Sequence, residues 1–254
     1  MSDVPNAQID GHLLFYDRPE PLSLARHRRL GVKRVERPFK FVARANLVPI
    51  MIDEFARAAP SYPLVFLGPE KEAVAVMGAR DGENVFVSAG GDVDREAYMP
   101  AYARRYPFTL VPDPTSGSQV VCIDAGAAMV GETRDNPFFD GDQPSAFTRR
   151  AIAFCEEFEV SRGATRVFVD RMSALGLWET KSVTVTAAGA NGANDEPIMV
   201  GDYFAISEIA LLALPRAQFV ALRDDGWLAA IFAHMMSLLV WPRIITRAFG
   251  PASS

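Results

Sequence analysis

Histidine and cysteine are scarce in this chain: His12, His27 and His234 are its only three histidines, and Cys122 and Cys155 its only two cysteines. None falls into an H-x-x-x-H, H-x-D or C-x-x-C spacing that would set two ligands on one ion, so no metal site is expected. The cysteines stand far apart in apolar surroundings, VVCID and AIAFCEEF, which suits buried thiols acting as small hydrophobes and implies no disulfide framework. Also missing are a G-x-S-x-G elbow, a G-x-x-x-x-G-K-[ST] loop and a G-x-G-x-x-G turn. Acyl transfer at an elbow, P-loop nucleotide binding and dinucleotide binding therefore lack their local geometry, and no cofactor is expected. GGDVDREAY begins like an EF-hand loop with Asp92, Asp94 and Glu96, but Ala97 and Ala103 stand where the turn glycine and the bidentate acid belong.

Positive charge is not in excess either. The net charge is −5, whereas a protein built to neutralise phosphates needs a surplus of Lys and Arg, so nucleic acid is not an expected partner. The one clearly basic segment, RHRRLGVKRVER at 26–37, is either a local patch for an anionic group or membrane surface, or a solvated face. Long apolar runs are lacking too. The most apolar, WLAAIFAHMMSLLVW at 227–241, lies between Asp225 and Pro242 and falls short of the roughly 20 residues that cross a bilayer, so a buried helix is expected and no transmembrane segment. The first residues, MSDVPNAQIDGHLLFYD, show no basic region followed by an apolar run. A cytoplasmic location is the expectation that follows.

What is present is the composition of a packed globular protein: 254 residues, 49% hydrophobic and 22% charged, with no linker long enough to enforce a boundary. One domain over 1–254 is expected. LLFYDRPEPLSLA reads as an extended arm leading to a short helix. In VPIMIDEFARAAPSYPLVFLG, Ile52, Phe55 and Ala59 share a helical face that Pro60 ends before the strand LVFLG. EAVAVMGA and ENVFVSAG flank Asp81-Gly82, a strong hairpin signal. A short helix capped by Asp92 or Asp94 should follow and end at Pro107, then the strands TLVP and QVVCIDAG around the turn PDPTSGS. Residues 143–178 predict two helices separated at Gly163. KSVTVTAAG and PIMVGDYFAIS predict strands around a loop tip, AGANGAND, before a helical tail with Pro215 at a helix start. Helices do not alternate with strands in a βα rhythm, so the fold class is α+β, with a mostly antiparallel central sheet, flanking helices and a C-terminal helical segment.

The segment YMPAYARRYPF, 98–108, concentrates the chemistry. On a short helix Tyr98, Tyr102 and Arg105 fall near one face, and Met99, Ala103 and Tyr106 near another, so phenol and guanidinium groups could stand at a rim. Arg104 and Arg105 could grip a carboxylate from a partner, or tie the helix to acids of the chain itself. His234 and Ser237, three apart, could meet on one helix face. They are either a catalytic pair without a nearby orienting acid or, in the blander reading, part of a core helix edge satisfied by hydrogen bonds.

GENVFV followed by YMPAYARRYPF, together with LLFYDRPEPLSLARHRRL, VPIMIDEFARAAPSYPLVF and GDYFAISEIALLALPRAQFVALRDDGWLAAIFAHMMSLL, resembles the SapC family, named for a gene of bacterial surface-layer loci. The likeness covers nearly the whole chain. It departs at Val93, where members often carry tryptophan. The resemblance implies a surface-layer connection and an accessory role beside outer-membrane receptors and flavin-dependent halogenases, and it supplies no catalytic residues. Tyr98, Tyr102, Arg104, Arg105, Tyr106 and His234 are the candidate binding residues, for a protein or peptide partner, since tyrosine and arginine dominate interface energetics. The alternative is an enzyme, or a partner subunit of one, acting on a small aromatic or peptidyl substrate in a pocket lined by Tyr98, Tyr102, Arg105 and His234. Self-association is a further expectation, because Trp227, Phe232, Met235, Met236, Leu239 and Trp241 leave little of the last apolar helix polar.

Overall fold

A computed structural model describes residues 13–112, 118–186 and 197–250. His12, most of the PDPTSGS turn and the AGANGAND tip lie outside the described residues. The described chain opens with β1 (Pro19–Pro21), α1 (Leu24–His27) and β2 (Leu30–Val32). Next come β3 (Leu47–Pro49), α2 (Phe55–Ala58), β4 (Leu64–Leu67), β5 (Glu72–Val76), α3 (Ala101–Arg104), β6 (Phe108–Pro112) and β7 (Gln119–Asp124). Short strands β8 (Val130–Glu132), β9 (Phe139–Asp140) and β10 (Gln143–Pro144) lead to α4 (Ala146–Ala174). The antiparallel pair β11 (Trp178–Thr186) and β12 (Pro197–Ile206) precedes α5 (Glu208–Leu212), α6 (Arg216–Asp224), α7 (Leu228–Ser237) and α8 (Trp241–Phe249).

The five-stranded main sheet runs β11-β12-β4-β5-β3, and a second sheet runs β1-β7-β6. Every pairing in the two sheets is antiparallel, as the α+β expectation requires. LVFL and AVAV are unbroken apolar runs because both faces of the main sheet are covered. Leu64, Phe66, Ala73 and Ala75 enter the large core, while Val65, Val74 and Val76 point to a smaller cluster on the opposite face. Helix α4 bridges the two sheets: Phe158, Phe168, Val169 and Met172 join the large core, and Cys155 packs with Phe108, Ile123 and Phe138 of the second. Both cysteines are buried and free. Burial pushes the Cys155 thiol up to about 11.

Four local expectations are corrected. Asp81-Gly82 does turn the chain, with Gly82 at φ +73°, but the residues after it form no second strand of a ladder. Both edges of β5 are already occupied, by β4 and β3, so its hairpin partner is β4, through Gly68 and Lys71 at positive φ. The stretch that follows instead wraps around Asn84, whose side chain donates to the Val42 and Ala45 carbonyls and accepts from the Phe86 and Val87 amides. Gly163 does not divide α4, which runs unbroken for 29 residues. An interior glycine costs about 1 kcal/mol relative to alanine, while each large apolar side chain that α4 buries contributes about 1.5–3 kcal/mol.

Asp92 and Asp94 cap no helix, since α3 begins after Pro100. Asp94 accepts from the Glu96 amide and pairs with Arg247 of α8 at 2.7 Å. Pro242, expected to end or kink the last apolar helix, does not end it, and a 3-10 turn over Leu238–Val240 precedes it. Pro242 occupies the first turn of α8, where its missing N–H leaves no bond unmade. The helical run Leu228–Phe249 thus reaches 22 residues with mean hydropathy 1.7, long and apolar enough by length and composition to cross a membrane. Here Ile231, His234, Ser237 and Ile244 are buried in the fold, whereas Phe232, Met236 and Leu239 remain exposed.

Candidate functional site

The 98–106 segment turns three ways, toward three different acids. Arg104 donates from Nη2 to the Tyr98 hydroxyl at 2.9 Å, and that hydroxyl donates to Glu54 Oε1 at 2.8 Å. Glu54 also accepts the Ala101 amide at 2.7 Å and the Met51 amide at 3.1 Å. Burial raises the Glu54 carboxyl above its ordinary range even though these donors oppose it. Burial likewise pushes the Tyr98 phenol up to about 12, reinforced by the nearby Glu54 charge.

Tyr106 turns elsewhere, donating to Asp124 Oδ2 at 2.8 Å. Asp124 is buried, and desolvation alone would raise it. The Arg18 amide, the Tyr106 hydroxyl and the Asp17 and Gly126 amides outweigh that cost and hold it below the usual carboxylate range. Tyr106 therefore belongs to the joint between the second sheet and the N-terminal arm. Its ring lies 4.1 Å from that of Phe41 and 5.2 Å from that of Tyr16.

Arg105 is the least expected of the group. Its side chain is only 3% exposed, and its guanidinium carbon lies 4.3 Å from the ring centroids of both Tyr102 and Phe158. Two aromatic faces thus cover the planar cation, leaving its edges for hydrogen bonds. Those edges are poorly served: Nη1 lies 3.5 Å from Glu159 Oε1, and Nε has no partner among the described residues. Glu159 is held more tightly by Arg162, whose Nη2 lies 2.6 Å from Oε2.

Arg105 and Tyr102 line a cleft of about 610 Å³, within the size range of small-ligand and peptide sites. One wall is α4 from Phe158 to Val169, and the other is built by the end of β3, the start of β5 and part of β6. Glu72 lies in this cleft, half-buried and without a hydrogen bond or ion pair among the described residues. Burial raises its carboxyl, Glu70 adds to the rise, and Arg162 and Arg166 oppose it. Gly163 also lines the cleft, and a Cβ built there would meet nothing within 4 Å.

Of the residues expected to form one site, the cleft takes Tyr102 and Arg105. Arg104 lines a smaller neighbouring hollow of about 260 Å³ together with Glu54 and Arg57. Tyr98 lines neither and serves Glu54, while Tyr106 serves Asp124. His234 stands apart. Its Nε2 accepts the Ile206 amide at 3.0 Å, so Nδ1 carries the proton and donates it to the Leu64 carbonyl at 2.8 Å. Ser237 donates to the His234 carbonyl at 2.6 Å and accepts the Leu64 amide at 3.0 Å, so the two side chains fasten α7 to the sheet and do not activate each other. Sequence reasoning missed Glu72, Glu159, Arg162 and Arg166, single charges with no local pattern. It noticed Gly163 but took for a helix end what is an open wall.

The SapC family model matches residues 22–244, which is most of the chain. No curated protein and no solved structure matches it. The chain belongs to the SapC family.

Proposed function

We propose that this member of the SapC family is a binding protein that takes a segment of a peptide or protein partner into the cleft along α4, as an accessory component of a surface-layer or outer-membrane-receptor-linked system. The observation that carries the reading is the cleft itself, about 610 Å³ and lined by apolar Ile50, Phe158 and Val169 together with the charged Glu72, Arg162 and Arg166. An apolar wall with charged groups at its edge suits an extended peptide segment, which buries side chains and pairs its polar groups at the rim.

The reading is tested by capture from the native host on immobilised wild-type protein and on Gly163→Leu, which adds a side chain to the cleft wall at a position where a Cβ meets nothing within 4 Å. The partner retained by the wild type should fall at least tenfold with the variant, whose circular dichroism and melting temperature stay at or above wild type. Equal retention by both removes the cleft from the function.

A second reading, an enzyme acting on a small aromatic or peptidyl substrate, is favoured by Glu72 alone, a raised and unpaired carboxylate in the same cleft that could serve as a general base. It requires turnover by the purified protein that Glu72→Gln abolishes.

A further inference from the structure

The helical run from α7 into α8 presents one row of side chains to solvent. Phe232, Met236 and Leu239 stand 47%, 67% and 78% exposed, and Ala229 is exposed ahead of them. Their spacing is three, four, three, the alternation that keeps a seam facing a second helix in a coiled coil. The opposite side serves the fold. Ala230, Ile231, His234 and Ser237 are buried, and beyond them Leu238 and Trp241 pack against the cluster of Val65, Val74, Val76 and Tyr203. The 3-10 turn Leu238–Val240 still leaves Leu239 on the outside. None of the four exposed residues lines the cleft along α4, so the row is a separate surface.

Charge decides what can cover it. Between Asp225 and Arg243 the buried, doubly bonded His234 is the single titratable side chain. The residues that flank the row, Leu228, Ala233, Met235 and Val240, are apolar as well. An interfacial membrane helix carries lysine and arginine beside its apolar face. Here Arg243 and Arg247, at the end of the run, turn back to Asp94 at 3.9 and 2.7 Å. Two identical copies of the row bring no like charges together. Exposed Asp225 precedes it, and Arg243, one-third exposed with ion pairs no shorter than 3.9 Å, follows it. Laid antiparallel about His234, the row sets Phe232 against the second copy's Met236, Ala229 against its Leu239, and the Asp225 end against its Arg243. Aromatic then meets thioether, small meets large, and acid meets base.

We propose that this chain forms a two-fold dimer in which the exposed rows of two copies, each running from Ala229 to Leu239, pack antiparallel. In such an interface the same patch serves on both sides, so each copy supplies both halves of every pairing. The dimer does not depend on what the cleft holds.

Sedimentation equilibrium of the full chain at micromolar concentration should give the mass of two chains. Met236→Glu buries a carboxylate in the row on association and should weaken the dimer at least tenfold. Val160→Glu, at a comparably exposed site on α4, should leave it unchanged. Both positions face solvent in the single chain, so both variants should keep the circular dichroism of the wild type. Orientation is read by oxidising cysteine variants, with the native Cys122 and Cys155 buried. Ala229→Cys mixed with Leu239→Cys should give a disulfide-linked dimer, and neither should do so alone. Like positions lie about 15 Å apart along the antiparallel pair, and a disulfide needs Cα atoms within about 7 Å. A monomeric wild type overturns the proposal, as does a dimer that Met236→Glu leaves intact. A monomer that binds vesicles of phosphatidylcholine and phosphatidylglycerol through Met236 assigns the row to lipid and overturns it too. Disulfide formation by either variant alone overturns the antiparallel arrangement.

Discussion

Leu64 gives both of its backbone groups to one turn of helix, its carbonyl to His234 and its amide to Ser237. Beyond the Phe204–Phe66 pair, the register would set Ile206 opposite Leu64 across β12 and β4, and the imidazole lies between them, bonded to both. A histidine thus takes the place of a ladder rung and welds α7 to the sheet. Both ring nitrogens are committed to backbone, which leaves no lone pair for proton transfer to a substrate.

This bridge makes stability depend on pH. Burial lowers the His234 imidazole to about 4, so the fold holds it neutral while the unfolded chain takes up a proton near 6.5. The stabilisation is complete above about 6.5 and is lost as pH falls toward 4, by roughly 3 kcal/mol. Urea midpoints measured from pH 7.5 to 4.5 should show this slope. His234→Phe should lose it, and should also be less stable at pH 7.5 by about 2–5 kcal/mol, because the Ile206 amide and the Leu64 carbonyl are left unpaired.

Glu54 and its donors organise the start of α3. Glu54→Gln replaces one acceptor by an amide group facing the Tyr98 hydroxyl and two backbone N–H groups. A loss of about 1–3 kcal/mol is expected in chemical denaturation. Arg104→Ala should cost less than about 1 kcal/mol, since its side chain is one-third exposed and its ion pair with Glu54 is 3.6 Å long.

Gly163 separates stability from binding. Gly163→Ala meets no atom within 4 Å and lies inside a helix, so it should stabilise by about 0.5–1 kcal/mol, seen as a higher melting temperature. Gly163→Leu should also melt no lower than wild type while narrowing the cleft and weakening partner capture.

Glu72 should oppose folding near neutrality. Its carboxyl is raised in the fold by burial and Glu70, against Arg162 and Arg166, so the fold retains its proton to higher pH than the unfolded chain does. Stability therefore declines as pH rises from about 4.3 through the raised value. Glu72→Gln should flatten this decline in denaturation curves.

Much of the fold was legible because neighbours in sequence set it. The strands LVFL and EAVAV and the buried surroundings of Cys155 follow from local pattern, whereas His234, a candidate binding residue, is bonded to Ile206 and Leu64 on distant strands. The hairpin at Asp81-Gly82 failed because a turn signal does not say whether a strand edge is free. The break at Gly163 failed because the apolar flanks that hold α4 together lie on other segments. Arg104 and Arg105 are both read as able to grip a carboxylate, yet one meets Glu54 with its side chain about one-third exposed and the other is sealed between Tyr102 and Phe158.

By itself the sequence determined the class of the fold and which catalytic motifs are missing, since these depend on residue type and short spacing, whereas the helix expected to be buried at 227–241 leaves Phe232, Met236 and Leu239 exposed. Tertiary structure alone decided which charges meet. Glu159 serves both Arg105 and Arg162, and Arg166 reaches Glu70, an outcome that depends on distances between residues far apart in the chain.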